Sequence, residues 1–129
     1  MGLQERRQIA ELQNTTLPER SGEIEAICGK AVPYEVDWAS FESDTQALNF
    51  LDNTACHRIN MALRTIAMDA MGRDALRDGL HTIRLKNTAP ELRKIDFSAG
   101  VLELHAPWAL ATQGMHGDGA IREVLMARL

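Results

Sequence analysis

The stretch of sequence that decides the fold covers residues 43–71 and reads SDTQALNFLDNTACHRINMALRTIAMDAM. Many of its apolar residues recur three and four positions apart, which places them on one face of a helix. They are Leu48, Leu51, Ala55, Ile59, Ala62, Leu63, Ile66 and Ala70. Ser43 followed by Gln46 is typical of a capping box, and Gly72 can end a helix. The pattern therefore predicts one long helix over residues 43–71.

A second set of side chains lies on another flank of this predicted helix. It consists of Phe50, Thr54, His57, Met61, Thr65 and Met68. The helix is therefore apolar over more than the single stripe that one packing partner covers. We expect a sheet to cover one side, and the N-terminal helices or a second copy of the chain to cover the other. Met61 and Met68 are interpreted as side chains that fill the core.

The N-terminal segment carries two shorter helical patterns. The first covers residues 3–13 and is expected to stop at the polar run Asn14, Thr15 and Thr16. The second is expected to begin near Pro18, which suits a first helical turn, and to end at Gly29. We interpret residues 1–29 as a helical extension that packs on or near the core of a single domain covering residues 1–129.

Apolar and polar residues alternate in four segments, which predicts strands. The first covers residues 32–38, where Pro33 indicates that the strand begins at an edge or a terminus. The others cover residues 82–86, 94–97 and 101–105, and the short connection Ser98-Ala99-Gly100 is typical of a hairpin. We expect the last three strands to form an antiparallel meander, followed by a helix over residues 121–129 with Asp118 as its N-cap. The predicted class is α+β, with an antiparallel sheet packed on the long helix.

Composition and charge restrict the compartment and the partners. The chain has 129 residues and a formal net charge of −4, so its surface does not favour nucleic acid or an anionic membrane. No apolar run approaches the roughly 20 residues that span a bilayer. Cys28 and Cys56 are too few for a disulfide framework and are expected to be reduced and buried. We therefore predict a cytoplasmic protein.

Two groups of residues are candidates for catalysis. Cys56 and His57 are adjacent in the sequence, but adjacent helical side chains point about 100° apart, so they do not form a nucleophile and base pair by themselves. Glu103 and His105 are two positions apart on a strand and share one sheet face, where they can line a polar cleft. We therefore name His105, Glu103 and His57 as the catalytic candidates. The spacing of the histidines matches no metal motif, and we expect no metal and no cofactor.

A glycine-containing loop supplies the candidates for ligand binding. Residues 114–119 read GMHGDG and precede the last predicted helix, whose free N–H groups could hold an anion. The candidates are His116, Gly117 and Gly119. The segment lacks the Lys-Ser/Thr end of a P-loop, and Asp118 repels an anion there. A loop ending in a capped helix is the competing interpretation.

Two hypotheses about function remain. The first is a binding or assembly module without catalytic activity, a homodimer whose interface uses the long helix or the exposed edge of the sheet. It depends on the apolar surplus of the long helix, and it allows other protein partners. The second is a small enzyme or ligand-binding protein with a pocket between helix and sheet, using His105, Glu103 and His57 or His116.

Overall fold

A computed structural model describes residues 2–42 and 44–129 of the chain. The side chains of Asn53, Ala111 and Thr112 also lie outside the description. Ser43, the first residue of the predicted capping box, is not among the described residues. The cap of that helix is instead seen at Asp44, whose carboxylate accepts a 3.0 Å hydrogen bond from the backbone N–H of Ala47.

Six α-helices and four strands are seen in the described part of the chain. The helices are α1 (Leu3–Glu11), α2 (Leu17–Cys28), α3 (Thr45–Phe50), α4 (His57–Ile66), α5 (Ala70–Gly79) and α6 (Asp118–Met126). The strands are β1 (Tyr34–Val36), β2 (Thr82–Asn87), β3 (Lys94–Ser98) and β4 (Val101–Ala106). Short 3₁₀ turns cover Trp38–Phe41, Pro90–Leu92 and Trp108–Gln113.

The four strands form one mixed sheet in the order β1-β2-β4-β3. β1 pairs parallel with β2, β2 pairs parallel with β4, and only β3 and β4 are antiparallel. The α+β class is confirmed, and Pro33 does precede an edge strand. The predicted antiparallel meander is wrong, because β4 enters between β2 and β3. The hairpin was recognisable from its local turn, whereas the pairing of β2 depends on long-range packing.

The predicted long helix is divided at two places. A π-helical turn, Leu51–Cys56, joins α3 to α4 without breaking the path of the chain. The second division is at the end of α4, which stops at Ile66, whereas the predicted helix continued to Met71. The physical reason is Asp69, whose backbone is extended and whose carboxylate accepts a 2.7 Å hydrogen bond from the N–H of Gly72. Asp69 is thus the N-cap of a new helix, α5.

The N-terminal helices differ from the prediction in their connection. The polar run Asn14, Thr15 and Thr16 does not end a helix, because it lies in a π-helical turn, Leu12–Thr16, that links α1 to α2. Gly29 ends α2 as predicted, in the left-handed conformation with φ 89°. At the other end of the chain, the predicted N-cap Asp118 is the first residue inside α6, and Gly117 takes the cap position.

One hydrophobic core runs through the described residues, from Ile9 in α1 to Leu125 in α6. The sheet contributes Ile83, Leu85, Leu102 and Leu104, which alternate with polar side chains on the opposite face. Cys28 and Cys56 are free thiols buried in the protein, as predicted. No helix of the described chain is both long and apolar enough to cross a membrane.

Candidate functional site

A groove of about 780 Å³ lies between α5 and α6. The C-terminal end of α4 forms its floor with Thr65 and Ile66. Its walls carry small residues, so the helix backbones lie close to the open space. These residues are Gly72 and Ala75 of α5 and Gly119 and Ala120 of α6. We call this feature the α5–α6 groove.

Exposed methionines stand along the α5–α6 groove. Met71 is 82% exposed and Met126 is 65% exposed, and Leu129 completes the apolar rim. Unpaired apolar side chains of this size are costly in water, and clusters of them mark interaction surfaces. Methionine is also flexible enough to fit partners of different shape. The groove therefore has the composition of an adaptable binding surface.

The interpretation of Met61 and Met68 as core residues is wrong. Met61 is 40% exposed, and Met68 is 84% exposed beside the groove without lining it. Because the helix ends at Ile66, Met68 lies in the connection to α5 and no longer follows the apolar stripe. The apolar surplus that the sequence placed inside the long helix is thus partly on the surface.

The groove is lined by one cation, Arg122, and by the carboxylates of Asp69 and Glu123. The Arg122 guanidinium lies 3.9 Å from Asp118, and its buried Nε has no hydrogen-bond partner among the described atoms. The carboxylate of Asp69 is already engaged as the N-cap of α5. The Arg122 side chain as a whole is 38% exposed and lines the groove, so a bound partner can reach its charge. Arg122 therefore offers a hydrogen bond to a carboxylate or carbonyl on a bound partner.

A second, smaller depression lies on the polar face of the sheet. Its volume is about 380 Å³, and Glu103 and His105 both line it, so the structure brings these two candidates together. The His105 Nε2 lies 3.6 Å from a carboxylate oxygen of Glu103, and the Lys94 ammonium lies 3.6 Å from the same oxygen. Arg84 lies 3.6 Å from the other oxygen. Glu103 is thus surrounded by three basic groups.

The environment of His105 favours its neutral form. Partial burial lowers the pKa of the imidazole, and Lys94 and Lys86 lower it further, while Glu103 and Asp37 act in the opposite direction. A neutral imidazole can accept a proton at physiological pH, so His105 could act as a base. No serine, threonine or cysteine is among the described residues that line this depression.

The other catalytic candidate lies apart from this depression. His57 is exposed at the start of α4 and is not among the residues that line the depression. Its neighbour Cys56 is buried, and this burial raises the pKa of the Cys56 thiol to about 12. Because the thiolate is the reactive form, Cys56 is not an activated nucleophile.

The glycine-containing loop of residues 114–119 is held by hydrogen bonds of His116 and Arg93. This side chain is buried, and its Nε2 donates a 2.9 Å hydrogen bond to the carbonyl oxygen of Lys94, which assigns the proton to Nε2. Arg93 binds the carbonyls of Gly114 and Met115 in the same loop. The loop is therefore attached to the start of β3. Of the three ligand candidates, Gly119 lines the α5–α6 groove, whereas His116 and Gly117 do not.

In the described chain, no group of three or more His, Cys, Asp or Glu side chains is arranged to hold a metal ion. The chain matches no family model, no curated protein and no solved structure. Sequence reasoning missed the α5–α6 groove because its walls come from segments about 50 residues apart. Two features of the sequence could have indicated it. They are the methionines in and after the predicted long helix, and Asp69, which could be recognised as the N-cap of a new helix.

Proposed function

We propose that this chain is a non-enzymatic, cytoplasmic binding module that works as a homodimer and binds an amphipathic helix of another protein in the α5–α6 groove. One observation carries the proposal: two strongly exposed methionines, Met71 and Met126, line a groove whose walls are built from glycine and alanine. Recognition of a helix in a groove depends on an apolar stripe entering such a surface.

The shape of the groove favours a helix as its occupant. Gly72, Ala75, Gly119 and Ala120 leave room for a partner's side chains, while the flexible methionine side chains can close around them. The polar groups add a chemical requirement. The exposed part of the Arg122 side chain favours an acceptor, so we expect the partner helix to carry an aspartate or glutamate beside its apolar stripe.

The proposal is tested with a displayed library of helical peptides about 15 residues long. We expect enriched peptides to share apolar residues at positions i, i+3 or i+4, and i+7, with a nearby carboxylate. Binding is then followed by NMR of the protein labelled at its six methionine methyl groups. The Met71 and Met126 signals should shift on binding, and the Met68 signal should not.

A matched pair of variants provides the control. Met68 and Met71 are almost equally exposed, but only Met71 lines the groove. Met71→Gln together with Met126→Gln should weaken peptide binding at least tenfold, whereas Met68→Gln should leave it unchanged. Arg122→Gln should weaken only those peptides that carry the carboxylate. Equal binding to wild type and to the doubly substituted groove would contradict the proposal.

The homodimer and the compartment belong to the same proposal. Two buried free thiols suit a reducing compartment, which supports the cytoplasm. The exposed apolar side chains and an unpaired sheet edge support self-association. Sedimentation at protein concentrations from 1 to 500 μM should show a monomer–dimer equilibrium; a strict monomer over this range would contradict the dimer without affecting the groove.

The pocket of the second hypothesis is favoured by one observation, the convergence of Glu103 and His105 on the 380 Å³ depression. In this alternative the depression binds a small polar ligand, with neutral His105 as the base. Native mass spectrometry of the purified protein distinguishes the two functions. A stoichiometric adduct that His105→Gln abolishes supports the pocket, whereas the groove predicts no such adduct.

A further inference from the structure

The two edges of the sheet differ in how open they are. β1 is one edge, and it is only three residues long and follows Pro33, which has no N–H to offer. β3 is the other edge, with five residues and no proline. Short strands and proline are devices that protect an edge from pairing with another chain. The β3 edge lacks both.

The hydrogen-bonding direction of β3 follows from its partner β4. The carbonyl oxygens of Gly100, just before β4, and of Ala106, its last residue, accept hydrogen bonds from residues that begin or flank β2. The backbone groups of alternate residues of β4 therefore point toward β2. The remaining residues Val101, Glu103 and His105 face β3, where they are opposite Ser98, Asp96 and Lys94. The backbone groups of Ile95 and Phe97 therefore point away from the sheet.

These outward groups can pair with a second copy of β3 in three two-fold registers. A two-fold axis at Asp96 places Asp96 opposite its own copy, and like charges directly opposite are destabilising. An axis at Phe97 places Asp96 opposite Ser98 of the copy. An axis at Ile95 places Lys94 opposite the partner's Asp96 and Asp96 opposite the partner's Lys94. Only this last register forms two ion pairs.

The side chains of Lys94 and Asp96 are accessible for these pairs. Lys94 is exposed, and its contact with Glu103 is long, at 3.6 Å. Asp96 is only partly buried and accepts one hydrogen bond, from Ser98 on its own strand. Ile95 is partly buried on the opposite face and would lie against its own copy. Leu92, in the turn just before β3, is also exposed.

We infer that two copies of this chain join through their β3 edges, with the two-fold axis at Ile95 and reciprocal Lys94–Asp96 ion pairs, to form a continuous eight-stranded sheet. This inference rests on the homodimer of the proposed function and names its interface. An isologous contact of this kind closes after two copies, so it ends in a dimer and not a fibre.

Charge exchange tests the register. Lys94→Glu and Asp96→Lys should each weaken the dimer at least tenfold in sedimentation, because each puts like charges opposite one another. Mixing the two variants should restore a dimer, since every pair across the interface is then of opposite charge. The double variant should also dimerise. Recovery of the dimer on mixing shows that each single variant is folded and has lost only its interface, because an unfolded variant would not form a dimer with the other.

Amide exchange of the wild-type protein tests the same edge without substitution. The Ile95 and Phe97 N–H groups should exchange more slowly at 500 μM than at 5 μM, while the edge amides of β1 should not change. The β3 interface would be overturned, while a dimer remained, by either of two results. One is single variants that dimerise like wild type, and the other is an Ile95 amide exchange rate that does not depend on protein concentration. A wild-type protein that is monomeric throughout would overturn both the interface and the proposed homodimer.

Discussion

The Tyr34 hydroxyl donates a 2.6 Å hydrogen bond to Oδ1 of Asn60, and both side chains are buried. The Asn60 amide in turn donates to a Glu23 carboxylate oxygen at 2.9 Å. Arg20 binds both Glu23 and Asp52. This network joins β1, α2, α4 and the π-helical turn between α3 and α4. Buried polar groups in a satisfied network fix one arrangement of the elements that carry them.

Removing the Tyr34 hydroxyl should destabilise the protein. In Tyr34→Phe, Oδ1 of Asn60 stays buried without its donor, which costs about 1–3 kcal/mol. Thr65→Val is the matched control, since it deletes a hydroxyl that is bonded to the Met61 carbonyl on the surface of α4. Urea denaturation of the three proteins measures the free energy of unfolding. A Tyr34→Phe variant as stable as Thr65→Val would contradict this role.

Stability should decrease at alkaline pH because Tyr34 and its neighbour Cys56 are both buried. Burial raises the pKa of Cys56 to about 12 and raises that of Tyr34 well above its usual value. The folded state therefore keeps protons that the unfolded chain loses above about pH 9. The free energy of unfolding should fall as pH rises through this range. Cys56→Ser should make that decrease less steep in urea titrations from pH 8 to 11; an unchanged slope would show that Cys56 does not contribute.

Local chemistry was sufficient to predict several elements. The capped start near residue 44, the stop at Gly29 and the hairpin around Ala99 depend on neighbouring residues, which a sequence displays directly. The pairing of β2 with both β1 and β4 was not predicted, because strand order depends on packing between distant segments. Asp69 was readable as an N-cap, but the continuous apolar stripe through Ala70 favoured one uninterrupted helix.

The candidate site was predicted only in part. Glu103 and His105 were placed on one face because strand residues two apart must share it. The α5–α6 groove was not predicted, because Met71 and Gly119 are distant in the sequence and meet only when α5 and α6 both pack on α4. The apolar surplus was recognised, but its location depended on where the long helix ended.

The hairpin turn between β3 and β4 should respond oppositely to two substitutions. Ala99 has φ 51° and Gly100 has φ 79°, as in a type I′ turn. Alanine is strained in this region and asparagine tolerates it, so Ala99→Asn should raise the free energy of unfolding by roughly 0.5–1 kcal/mol. Gly100→Ala should lower it, because the new Cβ would lie 2.2 Å from the His81 ring. Thermal unfolding followed by circular dichroism measures both, and equal effects of the two substitutions would exclude this turn geometry.

The titration of His105 should report the charges on the polar sheet face. Its pKa should lie below the ordinary value of 6.5, because partial burial and the nearby Lys94 and Lys86 outweigh Glu103 and Asp37. Glu103→Gln should lower this pKa further, and Lys94→Gln should raise it. Since the folded state resists protonation of His105, its contribution to stability should be lost as pH falls below about 6.5.

NMR titration of the four histidine rings measures these shifts, with the His105 signal assigned by its loss in His105→Gln. Shifts of the same sign in Glu103→Gln and Lys94→Gln would mean that burial changes, and not these two charges, determine the pKa of His105.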